Sequence, residues 1–129
     1  MEKNKQFDER YLAFGADILN LVSHLPRTPA TRHVADQLFR SGTSVGAHLQ
    51  EARAAESRAD FIHKFQIALK EMRETSYWLA LLKRSGLAKE VAMEPLMAQC
   101  GELTAILAKS VITAKRNAGI STATTTDQN

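Results

Sequence analysis

Several groups of residues in this chain have types and spacings that could do chemistry. Gly42-Thr43-Ser44-Val45-Gly46 spells the G-x-S-x-G pattern of a serine nucleophile elbow. That chemistry needs a strand-to-helix turn that strains the serine and exposes its hydroxyl. No strand pattern precedes Gly42, so the segment reads instead as small residues in a tightly packed helix, and no nucleophile is assigned. Asp60 and His63 have the i, i+3 spacing of carboxylate-bridged metal sites. Such bundles require two Glu-x-x-His units and two further inward carboxylates, so the expectation is no metal, with Asp60 capping a helix start and His63 in solvent. Cys100 falls at a core position, where a cysteine acts as a small buried hydrophobe rather than a reactive thiol. Glu71 and Glu74, set among Lys70 and Arg73, suit a solvated or salt-bridged face. The alignment of Lys64, Glu71 and Trp78 at steps of seven leaves a polar network between subunits open as well. Tyr77-Trp78 could stack on nucleobases, yet most of the few aromatics lie in core stripes, short of the aromatic and basic interleaving of single-strand binders. No catalytic residue and no cofactor is expected.

The elements that must position these residues are all helical. Phe7, Tyr11, Phe14, Ile18, Leu21 and Leu25 alternate at spacings of four and three, predicting a helix over about 5–25 that Pro26 stops. Thr28-Pro29 supplies an N-cap and a first-turn proline, and Ala35, Leu38, Gly42, Val45, Leu49 and Ala52 carry a second helix over about 29–55. Ser57 followed by Asp60 resembles a capping box and opens a third helix that closes near Gly86. Its stripe is Phe61, Phe65, Ala68, Met72, Thr75, Leu79 and Leu82. Leu96, Cys100, Leu103, Leu107, Ser110 and Ala114 give a fourth over about 92–116. Four long amphipathic helices with short connections predict an all-α, antiparallel up-down-up-down four-helix bundle over 1–116. The polar tail, 117–129, has one large apolar residue, Ile120, and is expected to be mobile. Leu12 and Leu19 flank the first stripe, and Leu69 and Leu81 the third. These extra apolar positions are candidates for an interface between subunits.

Composition agrees with one small domain: 129 residues, 44% of them apolar and 24% charged. A single cysteine cannot form an intramolecular disulfide, and the charged start MEKNKQFDER lacks the apolar core of a signal peptide. The expectations are a cytoplasmic protein and no membrane association. Seventeen Lys plus Arg against 14 Asp plus Glu give a net charge of +3, which admits an acidic partner without being a nucleic-acid signature.

The runs Arg40-Ser41-Gly42-Thr43-Ser44-Val45-Gly46-Ala47-His48-Leu49-Gln50-Glu51-Ala52, Asp60-Phe61-Ile62-His63-Lys64 and Ile67 to Leu79 resemble the bacterial family of 23S ribosomal RNA intervening-sequence proteins. The motif positions are Arg40, Ser44, Gly46, Glu51, Phe61, Lys64, Glu71, Glu74 and Trp78. The family pattern has Asn where this chain has His48, and Gly where it has Ala52. The resemblance implies an antiparallel four-helix bundle that assembles into a ring, a homopentamer, with no enzymatic activity. It also implies a likeness to the accessory protein of diversity-generating retroelements, a basic pentameric barrel that binds nucleic acid and a reverse transcriptase.

The leading expectation is a non-enzymatic oligomeric adaptor that binds structured RNA or DNA through basic surfaces of a ring. The alternative is a protein-interaction scaffold with no nucleic-acid role. The candidate nucleic-acid contacts are Arg27, Arg32, Lys83, Arg84 and Lys89, which an antiparallel bundle gathers at one end. The other end, with Lys3, Lys5, Arg53, Arg58, Lys115 and Arg116, is the lesser candidate because Glu2, Glu51, Glu56 and Asp60 offset it.

Overall fold

The structure, a computed structural model, describes residues 2–88 and 91–119. It consists of α1 (Glu2–Ser23), α2 (Pro29–Arg53), α3 (Arg58–Ser85) and α4 (Glu94–Asn117), with no strand among the described residues. The helices start and stop where local chemistry dictates. Thr28 has extended backbone and its side chain accepts from the Thr31 N–H, with Pro29 following at a position whose missing N–H costs nothing. Ser57 does the same for the Asp60 N–H. Gly86, at φ 75°, closes α3 in a left-handed conformation that a side chain would strain. Helix α1 ends two residues before the expected Leu25. The residue before Pro26 is steered out of the helical region, and the His24 and Leu25 N–H groups bond three residues back in a tightened last turn.

Packing follows the order α1–α2–α3–α4, and α1 against α4 is the sparsest of the adjacent pairs. The core is continuous, with Phe14, Ile18, Leu38, Val45, Leu49, Met72, Leu79, Leu103 and Leu107 sealed from solvent. On α4 the buried position is Val111 rather than the expected Ser110, whose hydroxyl instead donates to the Ile106 carbonyl at 2.9 Å. Ile62 and Leu69 also join the core. Leu69 is therefore corrected as an interface residue: at 9% exposure it packs inside this chain. Leu12, Leu19 and Leu81 keep 67%, 46% and 39% of their surface in solvent.

The small residues of α2 divide into two kinds. Gly42 is the point of closest approach to α1, since an added Cβ would stand 2.8 Å and 2.9 Å from the two γ-carbons of Ile18. Gly46 has no atom within 4 Å of the same position, so its expected role in tight packing within the bundle is corrected. Of the tail 117–129 expected to be mobile, Asn117 is instead the last residue of α4, and residues 120–129 lie outside the described residues. No helix of the described structure is long and apolar enough to cross a membrane.

Candidate functional site

The charged residues of α2 and α3 meet along one seam. Arg40 donates from Nη1 to Glu71 Oε2 at 3.1 Å, from Nη2 to Gln37 Oε1 at 3.3 Å, and from Nη2 to Glu74. Trp78 Nε1 donates to the same Glu74 oxygen at 3.0 Å and its ring meets His33 edge-on at 5.8 Å. Beneath these groups the buried Thr75 hydroxyl lies 2.8 Å from both Ser41 Oγ and the Glu71 carbonyl. Two turns along, Lys64 Nζ donates to Glu51 Oε1 at 3.0 Å, a contact that lowers the Glu51 carboxyl and raises the Lys64 ammonium from their ordinary values. His48 Nδ1 sits 3.6 Å from the other Glu51 oxygen without a hydrogen-bond partner.

Each half-exposed pair contributes little by itself, but a row of them fixes which residues of α2 face which of α3. The polar network considered between subunits is thus satisfied inside one chain. Most motif positions, from Arg40 to Trp78, lie along this seam, and the family described as 23S rRNA-intervening sequence protein matches residues 4–109. The chain belongs to that family. A crystal structure at 1.70 Å of a protein with unknown function from the S23 ribosomal protein family of Bacteroides thetaiotaomicron VPI-5482 shares 37% identity with it. The two superpose with a TM-score of 0.74 over 84% of this chain and 97% of the other. Among curated proteins none matches.

The remaining residues of this family member fall into separate regions. Ser44 lies within α2, and its hydroxyl donates to the Ser41 carbonyl at 3.2 Å, without the strained turn that a nucleophile elbow requires. Cys100 is buried and its thiol is pushed up to about 11 by desolvation, which keeps it protonated and unreactive at neutral pH. No group of three His, Cys, Asp or Glu is arranged to hold a metal among the described residues.

Of the basic candidates, Arg27 in the α1–α2 connection, Arg32 in the first turn of α2, and Arg84 in the last turn of α3 are exposed and form no ion pair among the described residues. Lys83 differs: its Nζ is 3.1 Å from Glu94 Oε1, which holds the Glu94 carboxyl below its usual range. Lys89 lies outside the described residues.

Two concavities were not evident from the sequence. The first is a groove of about 770 Å³ between α1 and α2, with Leu12, Gly15, Ala16, Leu19, Gly46 and Ala47 among its lining and Lys5, Asp8 and Glu9 on its rim. The second is a cleft of about 510 Å³ at the bundle end where α1 and α3 begin and α4 finishes. Three phenylalanines from α1 and α3 meet there. Phe7 and Phe65 are stacked at 6.1 Å and 15°, and Phe61 and Phe65 at 4.5 Å and 27°. Phe61 was readable as a stripe residue, but its link to Phe7 through Phe65, across two helices, left no trace in local spacing.

Proposed function

We propose that this protein is a non-enzymatic, self-associating adaptor that binds structured RNA or DNA through the exposed arginines at one end of the bundle. The observation that carries this reading is the trio Arg27, Arg32 and Arg84, exposed and unpaired among the described residues where the α1–α2 and α3–α4 connections meet. Repetition around a ring would turn a small charge per subunit into a continuous basic rim. Binding to a blunt RNA hairpin is expected to weaken steeply with salt. Replacing Arg27, Arg32 and Arg84 together by alanine should reduce the salt slope by about one for each arginine that reaches a phosphate. Absence of binding at low salt overturns the reading and leaves the protein-scaffold alternative.

Self-association is the second half of this proposal. The α1–α2 groove is floored by small residues, whereas Tyr77, Leu81 and Ile112 project from α3 and α4. A groove on one side and apolar projections on another suit head-to-tail contacts, which either close into a ring or propagate as a filament. A ring of five is the proposed outcome, as the sequence resemblance implies. Light scattering should give five times the subunit mass, and Leu12→Arg, on an exposed position of α1, should give the single subunit with unchanged helicity. A wild-type monomer at micromolar concentration overturns the ring.

A further inference from the structure

The cleft at the other end of the bundle combines features that the arginine trio lacks. Along one side the rings of Phe7, Phe65 and Phe61 stack on one another, which closes off Phe65 at 3% exposure and leaves Phe7 and Phe61 partly exposed. Arg53 lies over this stack, with its guanidinium carbon 5.4 Å from the Phe7 centroid and 5.9 Å from that of Phe65. Asp8 holds it there, accepting from Arg53 Nη2 at 2.9 Å, so Arg53 is fixed and its charge is offset. Lys3, Arg58 and Lys109 also line the cleft, and they form no ion pair among the described residues. Among the described residues no carboxylate lines it.

Facing the rings, α4 presents polar groups. The Ser110 hydroxyl proton is given to the Ile106 carbonyl, which leaves its oxygen as an acceptor toward the cleft. The volume falls within the roughly 300–1,000 Å³ range of pockets that hold small ligands. A matching ligand must be flat and apolar on its faces, carry hydrogen-bond donors at its edge, and bear negative charge on one side. An acyl chain would leave the polar groups unused, and inorganic phosphate would leave the rings unused.

We propose that this cleft holds one unpaired nucleotide of a polynucleotide strand, its base extending the ring stack at Phe61 and its phosphate among Lys3, Arg58 and Lys109. The proposal rests on the nucleic-acid reading above and adds to it a preference for unpaired over fully paired nucleotides. Stacking on aromatic side chains tolerates any base, so the site reads strand state and not sequence. Its distance along the bundle from the arginine trio would let one subunit hold a duplex at one end and a frayed end or loop at the other.

The test compares two fluorescein-labelled probes of equal phosphate number: a single-stranded RNA and a blunt duplex. Fluorescence anisotropy with the full chain should show the single strand bound at least about tenfold more tightly. Phe61→Ala should remove that preference, with duplex binding and the circular-dichroism melt serving as controls for folding. Lys109→Ala, on the exposed face of α4, should lower the salt slope for the single strand by about 0.7 without changing it for the duplex. Equal affinity for the two probes, or a single-strand preference that survives both substitutions, overturns the cleft while leaving the arginine trio standing. No binding of either probe at low salt overturns both.

Discussion

Gly42→Ala is expected to lower the unfolding free energy by about 1–3 kcal/mol, whereas Gly46→Ala is expected to raise it by about 1 kcal/mol. Both glycines lie in the interior of α2, and both replacements gain the same helix propensity. The difference is the neighbour. A methyl group at Gly42 would stand 2.8 Å from a γ-carbon and 3.2 Å from the β-carbon of Ile18, a side chain fully buried at the α1–α2 crossing. A branched residue cannot swing its β-carbon aside, so one of the helices must shift. At Gly46 there is no atom to meet. Denaturant unfolding at fixed protein concentration checks both signs. The pair Gly42→Ala with Ile18→Ala should lose less than the sum of the single losses, with a coupling of about 0.5–3 kcal/mol. Equal and same-signed effects at the two glycines would sink the close-approach argument.

Tyr11→Ala is expected to cost about 3–5 kcal/mol, the range for emptying a buried aromatic site. Tyr11 is 1% exposed and its hydroxyl donates to the Leu103 carbonyl at 2.8 Å, tying α1 to α4. Few other contacts join these helices, with Arg10 and Glu102 forming an exposed bridge at 2.7 Å one residue away. Hydrogen exchange in Tyr11→Ala should therefore rise first in α1 and α4, ahead of the α2–α3 seam. Tyr11→Phe keeps the ring and should lose only about 1 kcal/mol. Burial also pushes the phenol pKa above its ordinary value, with nearby Arg10 opposing the shift. The folded state thus holds its proton where the unfolded chain releases it. The resulting stability is fully present below about pH 10 and is lost as pH rises beyond it. Alkaline unfolding should be shallower in Tyr11→Phe. An identical alkaline limb in the two proteins would count against a desolvated phenol.

The sequence by itself determined the helices, most of the core and the family. Three-four spacing marks a buried face because a helix turns every 3.6 residues, and Thr28-Pro29, Ser57 and Gly86 mark helix ends through bonds made within a few residues. These are local effects, legible one element at a time. Other features were decided only when the helices packed. Leu69 and Leu81 both flank the same stripe, yet one is covered by a neighbouring helix and the other is not. Gly42 and Gly46 are one turn apart, and only the path of α1 makes the first a contact and the second a gap. Lys83 and Arg84 are adjacent in the chain, but Glu94 reaches only the first. Phe7 and Phe61 are 54 positions apart and join one aromatic stack because α1 and α3 begin at the same end of the bundle. Periodicity reports which face of a helix is apolar. Which neighbour covers that face, and where two helices part to leave a cleft, depends on crossing angles and side-chain volumes summed over the whole bundle, so only the tertiary structure decides it.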